Sequence, residues 1–241
     1  MATKKLKITV TKKKISLKKI LVMLTVLLCL VFSVVFFLKC PIKNIYISGN
    51  NILSDKYIIS LAELDNYPAF FKSYFLNIKE DLLKDDYIKN VQIKRKLFGK
   101  IYIKVIEHKP ICIYEEKVVL SSKKKVANVY NINYLPYVSN NIDSIYDKFV
   151  SNFSKIDSDI LLKISHIEYA PNDVDKERFI LYMVDKNYVY VTLSKIEKIN
   201  KYNLIVNQLD NKKGIIYLDS GDYVEIKDNE NKGWHNDTLI I

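Results

Sequence analysis

Nineteen consecutive residues, Ile20–Leu38 (ILVMLTVLLCLVFSVVFFL), carry no charge, and no other stretch restricts the fold of this chain as strongly. As a helix rising 1.5 Å per residue, the run reaches about 28 Å, close to the hydrocarbon thickness of a bilayer. A helix satisfies its own backbone polar groups, as lipid demands of any segment that crosses it. Eight lysines precede it (Lys4, Lys5, Lys7, Lys12, Lys13, Lys14, Lys18, Lys19) and only Lys39 and Lys43 follow closely. The positive-inside rule therefore predicts a cytoplasmic N-terminus and an external C-terminal part. A cleaved signal peptide needs a shorter apolar core that ends in small residues. This run ends in Phe36-Phe37-Leu38-Lys39-Cys40, and Lys39 before Cys40 is also unlike a lipoprotein cleavage site. The expectation is an uncleaved anchor over residues 20–38 behind a basic arm, residues 1–19.

The net charge of +11 belongs to that arm. Residues 1–39 hold nine of the 38 basic residues and none of the 27 acids, which leaves 29 against 27 in the outer part. No basic face remains there for nucleic acid. Of the three cysteines, Cys29 lies in the span, while Cys40 and Cys112 lie outside and are read as free thiols that could in principle pair. His108, His166 and His235 have no metal-ligand spacing, so no metal and no cofactor are expected.

Beyond the span, NIYISGNNILSDKYIISL (residues 44–61) changes period part-way. Ile42–Ser48 alternates as a strand, and Gly49-Asn50 suits a turn with positive φ. Ser54 then caps a helix over Asp55–Leu64, with Tyr57, Ile58, Leu61 and Leu64 at helical spacing. Asn66–Ser73 is an aromatic-rich loop or irregular helix. Asn77 with Glu80 reads as a capping box for a helix over Ile78–Asp86. Val91–Arg95 and Ile101–Val105 alternate around Phe98-Gly99-Lys100 as a hairpin with one apolar and one charged face. The order is β-α-α-β-β.

Further on, Ile111–Tyr114, Lys117–Leu120 and His166–Ala170 read as strands, and Ile142–Phe153 and Ile160–Ile164 as helical. Arg178–Val184 and Tyr188–Leu193 form a hairpin over Asp185-Lys186-Asn187. Ser194 with Glu197 reads as a capping box for a helix whose apolar side is Ile196, Ile199, Leu204, Ile205 and Leu209. Gly214–Ile226 is a closing hairpin around Asp219-Ser220-Gly221, and residues 227–241 are a polar tail. The predicted class is α+β: a transmembrane helix, a β-α-α-β-β domain over 41–108, and a β-rich mixed-sheet domain with helices over 109–226.

A strand ending in Gly49-Asn50, a helix begun by Ser54, a second helix, a basic strand and the closing run Val105-Ile106-Glu107-His108-Lys109-Pro110 resemble a POTRA domain. One such unit directly after a single span, followed by a β-rich domain with a closing hairpin, resembles the FtsQ/DivIB family of bacterial division proteins. The resemblance implies a non-catalytic divisome scaffold at the septum, acting while septal peptidoglycan is made. It also implies that the β-domain docks single-pass coiled-coil partners of the FtsB/DivIC and FtsL types at the closing hairpin. That role carries over to Tyr217, Leu218, Tyr223, Val224 and Ile226, and to the turn residues Asp219, Ser220 and Gly221.

Backbone pairing gives such docking a physical route. The last strand of a sheet offers unpaired N–H and C=O groups to another chain. With only a polar tail beyond it, Tyr223–Ile226 is the expected edge. Catalytic signatures are absent from the sequence: Ser121-x-x-Lys124 and Ser122-x-x-Lys125 sit in a lysine-rich turn without companion motifs, and no P-loop or H-E-x-x-H occurs. No small-molecule substrate is expected. The competing class is a membrane-anchored cell-wall enzyme or an extracellular sensor, for which a deep pocket with converging polar groups would speak.

Overall fold

The computed structural model describes residues 16–74, 76–96, 99–209, 212–227 and 238–240. Most of the basic arm, Phe98 of the predicted turn, and residues 228–237 and 241 of the predicted tail lie outside the described residues. Helix α1 (Leu17–Lys39) contains the whole apolar run. Its side chains from Leu17 to Phe36 are exposed, the state of a helix whose solvent is lipid. The chain does not swing freely beyond it. The Cys40 carbonyl accepts from Phe70 N–H at 2.7 Å, Pro41 bridges to Ala69, and Ile42 N–H donates to the Pro68 carbonyl at 3.0 Å.

Next come β1 (Asn44–Ser48), α2 (Asp55–Leu61), a 3₁₀ turn over Lys72–Tyr74, α3 (Ile78–Leu82), β2 (Ile88–Lys96) and β3 (Lys100–Glu107). The sheet order is β1-β3-β2, with β1 parallel and β2 antiparallel to β3. Ile58 of α2, Ala62 just past it, and Ile78 and Leu82 of α3 pack on Val91, Ile101, Ile103 and Val105 of the sheet. Both helices are shorter than their apolar periodicity predicts. Past α2 the chain turns at Glu63 (φ 55°), and Leu64 enters the core from outside the helix. Ser54 does cap α2, its side chain accepting from Tyr57 N–H at 3.2 Å. The capping box at Asn77 does not form, because the Asn77 side chain makes no bond to the helix end.

Among the described residues the second sheet has ten strands: β4 (Pro110–Tyr114), β5 (Lys117–Leu120), β6 (Lys125–Ala127), β7 (Tyr137–Val138), β8 (Ile164–Tyr169), β9 (Arg178–Met183), β10 (Tyr188–Thr192), β11 (Lys213–Tyr217), β12 (Tyr223–Lys227) and β13 (Thr238–Ile240). Their order is β13-β12-β11-β10-β9-β8-β7-β4-β5-β6. Helices α4 (Tyr146–Phe153), α5 (Ser158–Leu161) and α6 (Tyr202–Gln208) and a 3₁₀ segment over Leu193–Lys201 cover one face. There Phe149, Phe153, Ile196 and Tyr202 pack on Phe179, Leu181, Val189, Val191 and Ile216.

Three expectations for this region change. Ile164 begins β8 instead of ending a helix. Ser194 caps nothing, since the segment starts one residue earlier, after Thr192, and winds as 3₁₀. Leu204 is 64% exposed, off the apolar side, because the switch from three to 3.6 residues per turn at Tyr202 rotates it away.

The two sheets share a core. Val118 and Leu120 of β5, with Ile132 and Leu135, are buried in the same cluster as Ile58, Leu64 and Val105. Tyr130 adds edge contacts to Tyr57 and Tyr87.

Candidate protein-docking site

The closing hairpin is β11 and β12, and buried polar bonds fix where it starts. Asn187, in the β9–β10 turn, is 1% exposed; its Oδ1 accepts from Gly214 N–H at 2.9 Å and its Nδ2 donates to the Tyr202 hydroxyl at 3.0 Å. Tyr202 in turn donates to Asp185 at 2.8 Å. Gly214 is needed for close approach: a Cβ there would lie 2.4 Å from the Glu225 carbonyl oxygen of the neighbouring strand. Pairing then runs from Lys213↔Lys227 to Tyr217↔Tyr223.

The turn between the strands is clamped from below. Arg178 of β9 donates from Nε to Asp219 Oδ2 at 2.7 Å, and the two side chains are only 19% and 10% exposed. The same guanidinium sits 4.2 Å from the centre of the Tyr190 ring. Lys195 Nζ donates to the Asp219 carbonyl at 2.5 Å, and Lys198 Nζ to the Asp222 carboxylate at 2.5–2.7 Å. Ser220 donates to Asp219 Oδ1 at 3.0 Å. Asp222 takes φ 52°, which Asp tolerates better than most residues.

Alternation then splits the predicted residues between two faces. Leu218, Val224 and Ile226 are buried in the core and present no side chain outward. Tyr217 and Tyr223 lie on the opposite face, stacked at 4.6 Å, and Tyr190 stacks on Tyr217 at 5.1 Å. The Tyr217 hydroxyl donates to Glu225 at 3.2 Å, and burial, with Glu225 adding its charge, pushes the phenol up to about 12. The row continues on the same face: His166 lies between Tyr137 (5.0 Å) and Tyr182 (3.7 Å), and Tyr182 meets Tyr188 edge-on at 5.2 Å. The sheet face turned away from the helices is therefore paved with tyrosine, a residue enriched at protein interfaces. Arg178, Tyr190, Lys195 and Lys198 were not among the residues expected from sequence. The alternation Tyr188-Val189-Tyr190-Val191 already carries the signal for the tyrosine row.

The expected open edge needs correction. β12 is not the outermost strand: β13 pairs antiparallel with it, as Tyr223↔Ile240, Val224↔Leu239 and Glu225↔Thr238. The tail read over residues 227–241 thus contains a strand. Thr-Leu-Ile-Ile at 238–241 is a β-forming run too short to stand out after ten residues without an aliphatic side chain.

A second feature lies at the junction of the sheets, a groove of about 860 Å³ lined by Ile52, Ile106, Tyr134, Leu135 and Leu162 among others. Three of its polar side chains, Glu107, His108 and Lys109, are engaged in structure. Glu107 accepts from the backbone N–H groups of Asn51 (2.9 Å), Ile52 (3.0 Å) and Leu53 (2.9 Å). Lys109 Nζ donates to the Ile156 and Ser154 carbonyls, and His108 Nδ1 lies 3.4 Å from the Ser121 hydroxyl. Burial pushes both His108 and Lys109 below their ordinary values.

Comparison with known proteins agrees with this architecture. The POTRA domain, FtsQ-type, family matches residues 40–108, the anchored β1–β3 unit. The Cell division protein DivIB of Brevibacillus brevis is 25% identical over 213 residues, covering 82% of this chain and 80% of that protein. The DivIB of Bacillus cytotoxicus is 24% identical over 226 residues (89% and 88%), and that of Bacillus subtilis 26% over 204 (80% and 78%). The chain carries an FtsQ-type POTRA domain and is similar to DivIB division proteins over most of its length. The V-x-E-x-x-P run has a mechanical reason here: its glutamate, Glu107, closes the loop that follows Gly49. The arginine beside the hairpin turn is supplied by β9, as Arg178.

Proposed function

We propose that this membrane-anchored FtsQ/DivIB-type protein is a non-catalytic scaffold of the divisome, facing outward with its N-terminus in the cytoplasm and enriched at the septum. It docks the external parts of single-pass coiled-coil proteins of the DivIC/FtsB and FtsL types on the closing hairpin, Tyr217–Ile226, with the domains 41–108 and 109–226 as separate contact surfaces. The observation that carries the docking reading is the clamped turn beside the tyrosine row. Arg178, Lys195 and Lys198 hold the hairpin in one geometry, so little order has to be gained on binding. Tyr217 and Tyr223 then face outward as paired aromatic anchors, while Val224 and Ile226 hold the strand on the core. Confinement to the membrane raises the effective concentration of partners anchored in the same bilayer.

The test is affinity capture from detergent-solubilised membranes. The chain is expected to bring down small single-pass coiled-coil proteins, and Tyr223→Lys to lose them. Equal recovery with Tyr223→Lys would remove the hairpin from the interface. Depletion should give filamentous, undivided cells, and protease applied to protoplasts should reach residues 41–241 while sparing the arm.

A further inference from the structure

β12 is fixed on one side by five pairs to β11, from Lys213↔Lys227 to Tyr217↔Tyr223. On its other side it meets three residues of the same chain, Thr238–Ile240. β13 is joined to it by residues 228–237, DNENKGWHND, a polar and glycine-containing run without a single aliphatic residue. A strand held by three pairs belongs to the low end of local stability and can open without the rest of the sheet. Because β13 belongs to the same chain, it returns to β12 by intramolecular closure, which a separate peptide must outcompete. Any extended segment that adds to this sheet beyond β12 needs the N–H and C=O groups that β13 already uses.

We infer that β13 is a self-occupying strand that keeps the β12 edge closed and has to leave before an extended segment of a docking partner can pair there. The inference rests on the docking reading above and adds to it a competitor inside the same chain. The partner's apparent affinity is then its intrinsic affinity reduced by the fraction of molecules in which β13 is open. The device also protects the sheet: with β13 in place, the hairpin does not offer an unpaired edge to stray chains.

The experiment uses the detergent-solubilised full chain, a variant ending at Asp237, and a Cys40→Ser chain carrying Glu225→Cys and Thr238→Cys, which face each other in the pairing. The probe is a fluorescent synthetic peptide of the chain's own residues 236–241, NDTLII. It should bind the variant ending at Asp237. It should bind the full chain about tenfold more weakly if β13 is closed in about nine-tenths of molecules. The oxidised double-cysteine chain should exclude it until reductant is added. Equal binding to all three overturns the inference. A full chain that becomes dimeric with concentration, and monomeric on truncation, also overturns it, because the strand is then exchanged between copies. Docking is scored separately by capture with Tyr223→Lys. Lost capture with equal peptide binding sinks the strand alone; unchanged capture with a tenfold peptide effect sinks the docking reading and leaves β13 as the closure of the edge.

Discussion

Replacing Glu107 by alanine removes one carboxylate and strands three backbone donors. Asn51, Ile52 and Leu53 all give their N–H groups to its two oxygens at 2.9–3.3 Å, in the arrangement of an anion-binding nest. Asn51 is exposed, so water replaces its lost partner. Ile52 is half-buried and Leu53 is 2% exposed, and those two donors lose theirs. At about 1–3 kcal/mol for each sheltered group left unsatisfied, alanine should cost about 3 kcal/mol. Glutamine keeps one acceptor oxygen and should cost about half of that. In a chain of this size, 3 kcal/mol corresponds to a fall in Tm of about 6–12 °C. Thermal unfolding of the detergent-solubilised protein, followed by far-UV circular dichroism, reads it directly. If alanine melts within about 1 °C of the parent, the carboxylate is not holding the loop and the reasoning fails.

Three further outcomes follow from the same structure. Gly49→Ala should be more damaging than the roughly 1–2 kcal/mol of a left-handed residue, because at φ 84° its Cβ would lie 2.2 Å from the Val105 carbonyl oxygen; Gly221→Ala, with only the Tyr223 ring near, is the mild control in the same melt. Arg178→Met should cost about 3 kcal/mol in urea unfolding by leaving Asp219 sheltered and unpaired, and Arg178→Lys should recover only part because it loses the planar stack on Tyr190. Stability should be lost above about pH 10 through four tyrosines and below about pH 6.5 through two histidines. Tyr87, Tyr146 and Tyr217 by burial, and Tyr182 by its bond to Glu168, are pushed up to about 12, so their contribution is complete below pH 10 and is lost as pH rises toward 12. Burial pushes His166 and His108 down, so theirs is present above 6.5 and is lost as pH falls; His166→Gln should shallow the acid limb, and an unchanged limb refutes that assignment.

Much of this was legible in the sequence because it depends on short-range pattern. The charge-free run gives α1, and the alternation in Val91–Arg95 and Ile101–Val105 gives the β2–β3 hairpin. What escaped depends on contacts distant in sequence. Gly49 does take positive φ, but Asn50 serves differently, its side-chain amide bonding the Leu53 carbonyl at 2.7 Å and Asp55 at 2.9 Å. Ser194 and Glu197 spell a capping box, yet Lys195 and Lys198 are drawn to the hairpin turn 24 residues away, and the segment winds as 3₁₀. Arg178 meets Asp219 across 41 residues, a pairing no local window displays. Thr238–Ile240 is a strand only because β12 is there to receive it.

The bonded passage from α1 into β1 has a consequence for reach. Only Cys40 separates the end of the helix from the Pro41–Ala69 bridge, and the shared core at Val118 and Leu120 ties the second sheet to the first. The altitude of the closing hairpin above the lipid is therefore a property of the fold, with little slack for a partner to take up. On the docking proposed above, a coiled coil rooted in the same membrane has to arrive at that altitude, and each heptad added to it raises its tip by about 10 Å. The proposed partners would be measured against this chain as against a ruler, and a flexible Gly-Ser insert between Lys39 and Cys40 would blur its markings.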